Sequence, residues 1–448
     1  MKTNRKYSII KICPNARKRG RAKENIMRVL LKNGLAVDSR SRIEGIKDIL
    51  IRDNIIEKIS DKIDEPADKV IDCTGLAVFP GLCDMHVHFR DPGQTHKEDI
   101  FSGAEAAAAG GVTAVACMPN TSPVCDSPEV IRKIVKKGKK SKIKVYPVGC
   151  ITKGLKGEEL CDFEALKKAG AVAVSDDGKP VKNARVMGEA MLAAHYAGLR
   201  VISHCEDLDI INGGIINAGK IARQFGVKGM SRSSENIITA REIQLANDLE
   251  MPIHIAHVST KEVVNLLRSA VRFGIMVTSE TAPHYFTLTE DELLKRDADY
   301  RMNPPLRCIE DVEAITEAVV DGTIDCIVTD HAPHTPEEKA DFEKAPNGVV
   351  GLETSLAVTL TKLYHTGRMS LMKIVRMMCE NPRRLLGIEG GALEPGCPAD
   401  IAIVDLNKEW VVDPEKLHSK SKNTCFKGMT LKGKVKYTLV NGVVVYED

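Results

Sequence analysis

The sequence predicts an α/β chain: a (β/α)8 TIM barrel carrying a small β-sandwich assembled from both chain ends. Three observations predict it. Short apolar runs broken by turns occupy the two ends of the chain, and strand-like and helix-like periods alternate between them. Within that middle stretch, histidines and aspartates fall where apolar runs meet loops, which is where a barrel of this kind keeps its chemistry.

Taken in order, residues 1–26 carry nine basic side chains against one acid, Glu24, and read as a disordered basic extension. No long apolar stretch follows, so they do not read as a secretory signal. From Met27 the runs V-L-L-K-N-G-L-A-V, I-L-I-R-D-N-I-I-E-K-I and A-V-F-P-G are strand-like, and so are A-D-I-A-I-V-D-L and V-K-Y-T-L-V-N-G-V-V-V-Y near the carboxyl end. Segments 27–80 and 390–448 are therefore expected to be the two halves of one sandwich. Between them, 81–389 offers eight strands, among them D-M-H-V-H, T-A-V-A-C-M, K-V-Y-P-V-G, A-V-A-V-S and R-V-I-S-H. The remaining three are P-I-H-I-A-H, I-M-V-T-S-E and C-I-V-T-D. Helical stretches such as S-P-E-V-I-R-K-I-V-K-K and K-E-V-V-N-L-L-R-S-A separate several of them.

Composition removes several classes of function. The 448 residues carry 64 basic and 61 acidic side chains, so no strong field toward nucleic acid or an anionic membrane is implied. No apolar run reaches the roughly 20 residues that a membrane-spanning helix needs. The 13 cysteines include no C-x-x-C pair and read as buried thiols, which fits a cytoplasmic protein.

The chemistry starts at D-M-H-V-H-F-R-D-P-G, residues 84–93. Residues i and i+2 of a strand share a face, so His86 and His88 project together and one ion can take both imidazoles. Such a pair is weak evidence alone. His204, His257 and Asp330 also end strands, and Asp176 and Asp177 close A-V-A-V-S-D-D-G. Four imidazoles and two carboxylates exceed one tetrahedral site and suit two ions bridged by a carboxylate and a hydroxide. Zinc fits those ligands best, with manganese and iron left open.

Arg90 follows the pair and could grip a carboxylate bidentately, its alternative being a structural ion pair. Asn120 in C-M-P-N and Asn303 in R-M-N-P-P-L lie in proline-marked loops, where asparagine often only shapes the turn. His334, in D-H-A-P-H, is a candidate to face a substrate. His254 is turned away from His257 by strand alternation and reads as structural. His195, His365 and His418 have no companions, and His96, His284 and His331 fall near rim loops without a task.

These stretches together resemble the dihydroorotases of the amidohydrolase superfamily, from Met27 almost to the carboxyl end. The resemblance rests on P-G-L-C-D-M-H-V-H-F-R-D-P-G, A-A-A-A-G-G-V-T-A-V-A-C-M-P-N-T, S-D-D-G, H-C-E-D and A-H-V-S-T. It rests equally on E-T-A-P-H-Y-F-T-L, R-M-N-P-P-L-R, T-D-H-A-P-H-T and A-P-N-G-V-V-G-L-E-T. It implies reversible, zinc-dependent closure of N-carbamoyl-L-aspartate to L-dihydroorotate in pyrimidine biosynthesis. A hydroxide held between the metals would be the nucleophile, with Asp330 as general acid and base. His86, His88 and Asp330 would bind one zinc, His204 and His257 the other, with a carboxylate between them. Many relatives bridge their metals with a carboxylated lysine. Here Lys179 lies beyond the Gly178 turn, which points to the bacterial branch with an aspartate bridge, Asp177, and Asp176 as its possible swap.

The resemblance also implies that His88, Arg90, Asn120, Asn303 and His334 hold the substrate, with the Asn347–Gly348 backbone against its ring. Many relatives have an aromatic residue where Asn347 stands. A homodimer is the implied assembly, and association with aspartate carbamoyltransferase is left open. Allantoinases and dihydropyrimidinases are the competing enzymes, disfavoured by the missing lysine and by Arg90. A catalytically dead scaffold for the transferase is disfavoured because every ligand is present.

Overall fold

A computed structural model describes residues 27–448, so the basic extension read at 1–26 lies outside the described residues. The chain opens with β1 (Arg28–Asp38), β2 (Ile43–Arg52), β3 (Ile55–Ser60), β4 (Lys69–Asp72) and β5 (Ala77–Pro80). Strand β1 pairs antiparallel with β2, and its other edge is shared. Val29–Lys32 pair in parallel with β4, and Leu35–Ala36 pair in parallel with β5. An irregularity between Leu31 and Gly34 marks the fork.

Ten strands follow before the chain returns to this sheet. They are β6 (Leu82–Val87), β7 (Val112–Cys117), β8 (Lys144–Gly149), β9 (Ala173–Val174) and β10 (Ile202–Ser203). Then come β11 (Ile216–Asn217), β12 (Gly229–Met230), β13 (Ile253–Ile255), β14 (Val277–Thr281) and β15 (Cys326–Ile327). Two parallel sheets run β6-β7-β8-β9 and β10-β13-β14-β15. Single bridges close the gaps between them, Val174 to Val201 and Val87 to His331, which makes a ring of eight parallel strands. Three of the strands, β9, β10 and β15, span two residues each and are shorter than their apolar runs. The small β11–β12 pair was not expected.

Side chains fill the ring. Cys83, Met85, Ala114, Ala116, Val148, Ile202 and Val328 pack with Leu385 and Leu386 of the helix Asn381–Leu386, which plugs the end where the strands begin. Two of the helices outside are strongly amphipathic and capped as their sequences dictate. Ser127 and Thr260 accept from the backbone of Pro128–Gly138 and Lys261–Phe273, and those helices bury Val130, Ile131, Ile134 and Val263, Val264, Leu267. Burying each such side chain contributes about 1.5–3 kcal/mol.

The chain ends in β16 (Ile401–Val411), β17 (Thr430–Val440) and β18 (Val443–Glu447). Ile401–Val404 of β16 pair antiparallel with β5, so strands from both ends form one eight-stranded sheet. Its inward faces enclose Val29, Leu31, Ile49, Ile51, Ile71, Val78, Ile401, Ile403 and Leu439.

Candidate metal centre

Strand ends bring the six candidate ligands together. His86 is in β6 and His88 follows it; His204 follows β10, His257 lies just past β13, and Asp177 and Asp330 lie just past β9 and β15. Asp177 is at the centre. Its Oδ1 is 3.3 Å from His204 Nδ1, 3.4 Å from His86 Nε2 and 3.9 Å from His257 Nε2. Its Oδ2 is 3.5 Å from His88 Nε2, which lies 3.1 Å from Asp330 Oδ1. Among the described residues, two groups of side chains are close enough to share an ion: His86–Asp177–His257 and His86–His88–Asp330. Both are buried here. Asp176 turns away, accepting from the backbone N–H of Ile151 and Thr152 and from the Thr152 hydroxyl.

The donor chemistry fits divalent cations. His86 Nε2 is buried with no hydrogen-bond partner, while its Nδ1 lies 2.6 Å from Glu280 Oε1. A proton on Nδ1 then leaves the Nε2 lone pair free for an ion. His204 is aimed in a similar way, with Nε2 held 3.0 Å from Glu206 and Nδ1 turned inward, 3.3 Å from Asp177 Oδ1 and 2.7 Å from His257 Nε2. Burial alone would raise the pKa of Asp177, yet the His204, His257 and His86 rings hold it well below the carboxylate range. Burial opposes charge on His204 too, but Asp177 and Glu206 lift it to about 10. The cluster is thus an anionic hole that draws positive charge.

Sequence reasoning missed the carboxylates that aim these rings. Glu280 is the penultimate residue of β14 and also takes His254 at 3.1 Å, so His254 supports the site from below, with Thr278 on its other nitrogen. Glu206 accepts from Asn303 Nδ2 at 3.0 Å as well as from His204. A carboxylate inside the run I-M-V-T-S-E was the available signal for Glu280.

Beside the cluster lies a cavity of about 280 Å³, lined by Arg90, Lys97, Asn120, Asn303, His334 and Gly348 among others. Arg90 reaches Pro333 O through Nε and His334 Nε2 through Nη2, both at 3.2 Å. Asn120 faces the cavity, but its amide is engaged at both ends. Its Oδ1 lies 2.9 Å from His88 Nδ1 and its Nδ2 donates to Asp177 Oδ2. Asn347 turns its carbonyl to His334 Nε2 at 3.0 Å. Burial, with Arg90 beside it, pushes His334 down to about 3, so it is neutral. Lys97, unnoticed in the sequence, adds a second cation and pairs with Glu338 at 2.8 Å. Arg90, His257 and Asp330 all take left-handed backbone conformations, a strain that clusters at working sites.

Of the remaining histidines, His284 is buried beside the cluster, with burial lowering it to about 4. His331 is a buried strut that accepts from Gly351 N. His365 and His418 bond Leu406 O and Glu353, and His195 is in the helix Ala184–Tyr196. A larger cavity of about 640 Å³ lies against Trp410, Leu356 and Val435, but neither group able to share an ion is there.

Comparison with known proteins adds an independent line. Residues 75–263 match the Dihydro-orotase-like family and residues 323–446 the Amidohydrolase family. A dihydroorotase of Acetivibrio thermocellus is 49% identical over 94% of this chain and 99% of its own. One from Citrifermentans bemidjiense is 48% identical over 94% of this chain and all of its own. Among solved structures, the L-hydantoinase (dihydropyrimidinase) of Arthrobacter aurescens superposes with a TM-score of 0.85 at 29% identity. It covers 94% of this chain and 96% of its own.

Proposed function

Because this chain belongs to the dihydroorotase family of amidohydrolases, we propose that it interconverts N-carbamoyl-L-aspartate and L-dihydroorotate in pyrimidine biosynthesis. The observation that carries the reading is a carboxylate ringed by four imidazoles, beside a pocket with a buried arginine. His86, His88 and Asp330 would hold one zinc ion and His204 and His257 another, with Asp177 between them. Zinc there supplies Lewis acidity that activates water and polarises the amide carbonyl.

The chain's own groups do the rest. Arg90 takes the α-carboxylate, with the Asn120 and Asn303 loops and neutral His334 walling the pocket, and so orients the reacting carbon. In ring closure the ureido nitrogen attacks the side-chain carboxyl carbon and sheds a proton. Asp330 accepts that proton and delivers it to the departing oxygen, which takes one further proton from solution and leaves as water. Opening runs the steps backwards, with Asp330 protonating the ring nitrogen as it leaves. Burial disfavours charge on Asp330, but His88 and its neighbours keep its pKa below the usual range, so it begins as a base. Closure converts a carboxylate into a neutral amide and takes up a proton, so lower pH favours it.

The decisive experiment is a substrate panel on purified, metal-loaded protein. Turnover of dihydroorotate and carbamoyl-aspartate, with about two zinc ions per chain, is the expected result. Folded, metalled protein that opened hydantoin, dihydrouracil or allantoin but not dihydroorotate would overturn the assignment. We propose a homodimer as the assembly; sedimentation of the chain alone and mixed with aspartate carbamoyltransferase tests both that and the association.

A further inference from the structure

The connection between β16 and β17 runs from the terminal sheet to the barrel rim. At its start, the N–H groups of His418 and Ser419 donate to Glu353 Oε1. The Lys420 N–H then donates to the buried carboxylate of Glu98, and Ser421 Oγ donates to Lys97 O at 2.7 Å. Next comes Asn423, which is 4% exposed. Its Nδ2 donates to Gly348 O at 3.0 Å and to Ala332 O at 3.3 Å, and its Oδ1 accepts from His334 N at 3.2 Å. Its own carbonyl accepts from Val350 N at 3.0 Å.

One side chain therefore bonds both ends of the loop running from His334 to Gly348, and both ends face the substrate cavity. Gly348 has little room to move. Its φ is +142°, and a Cβ there would lie 2.7 Å from Ala332 O. From the other side, Lys339 Nζ donates to Gly348 O, Pro346 O and Arg301 O at 3.0, 3.0 and 3.2 Å. Without the amide of Asn423, the two ends of the loop keep the His334 Nε2 contact with Asn347 O and the Lys339 bonds, but lose the side chain that ties the His334 backbone N–H to Gly348 O.

We propose that residues 417–426 are a strap that completes the substrate pocket, and that Asn423 is a positioning residue setting the spacing of His334 and Gly348. The proposal rests on the reading of those two as substrate contacts. Asn423 touches neither metal ligands nor reacting atoms, so its loss acts on substrate affinity and spares the chemical step.

The test is steady-state dihydroorotate hydrolysis by the zinc-loaded full chain, with metal content and thermal melting measured alongside. In Asn423→Ala, KM is expected to rise roughly tenfold while kcat stays within about threefold and metal content is unchanged. Asn423→Asp keeps the acceptor for His334 N but sets a carboxylate against two carbonyls, so a larger KM rise is expected. Should either variant fail to fold, the Ser419→Ala/Ser421→Ala protein removes the hydroxyls that donate to Glu98 Oε2 and Lys97 O, unties the other end of the strap, and is expected to show the same split, smaller. His334→Ala is the control. A raised KM in His334→Ala with wild-type KM in every folded strap variant overturns the strap alone. Wild-type KM in His334→Ala overturns the substrate-contact reading and the strap with it. A lower melting temperature with unchanged KM means that the strap only stabilises the fold, which also overturns the proposal.

Discussion

Which nitrogen of His86 faces the ion pocket is decided by one carboxylate, Glu280, and two substitutions separate aiming from chemistry. Glu280→Gln removes the anion that fixes the Nδ1 proton, and a roughly 10–100-fold loss of metal affinity is expected, read by chelator competition. Asp330→Asn should retain at least one metal through the histidines but lose turnover by roughly 10²–10⁴-fold; paired metal and rate measurements check it. His284 gives a pH signature. Burial lowers its folded pKa to about 4, below the roughly 6.5 of an exposed histidine, so the unfolded chain binds more protons. That makes stability full above about pH 6.5 and progressively lost as pH falls toward 4. His284→Gln should therefore flatten the acid side of the urea-midpoint profile. An unchanged profile would show that His284 does not titrate in this way.

Elements carry the ligands through short, firmly ended segments. His257 falls between β13 and Thr260, whose Oγ1 accepts from Val263 N and donates to Asn236 Oδ1. Thr260→Ala should cost about 1 kcal/mol, measured as a shift in denaturant midpoint without a change in slope. At this scale the sequence was readable where a feature is local. Alternating apolar runs gave all eight barrel strands, and the strand-end histidines and aspartates gave the cluster. It was not readable where a partner is remote. Glu280 and His86 are 194 positions apart, and Asn423 and His334 are 89 apart. The β11–β12 pair joins strands of two residues, too short for any period to register.

Across the whole molecule, barrel and terminal sheet are joined by a buried charge network. Arg383 donates to Thr113 Oγ1 at 2.7 Å and to Glu389 O at 2.8 Å, and lies 3.6 Å from Asp400, which also pairs with Lys144 at 2.6 Å. Arg383→Met should destabilise by about 3–5 kcal/mol because Asp400 loses a buried partner. A drop in melting temperature measures it; a change near zero would show that Lys144 alone suffices. The strand patterns at the two ends suggested a shared module, but not which strand of one meets which of the other. That meeting, β5 against β16, has a consequence for biosynthesis. Translation delivers β5 early and β16 only after the entire barrel, so one edge of β5 waits unpaired while some three hundred residues are made. A nascent chain stalled before β16 would display a sticky open edge, and chaperone capture at that stage would be the cell's remedy.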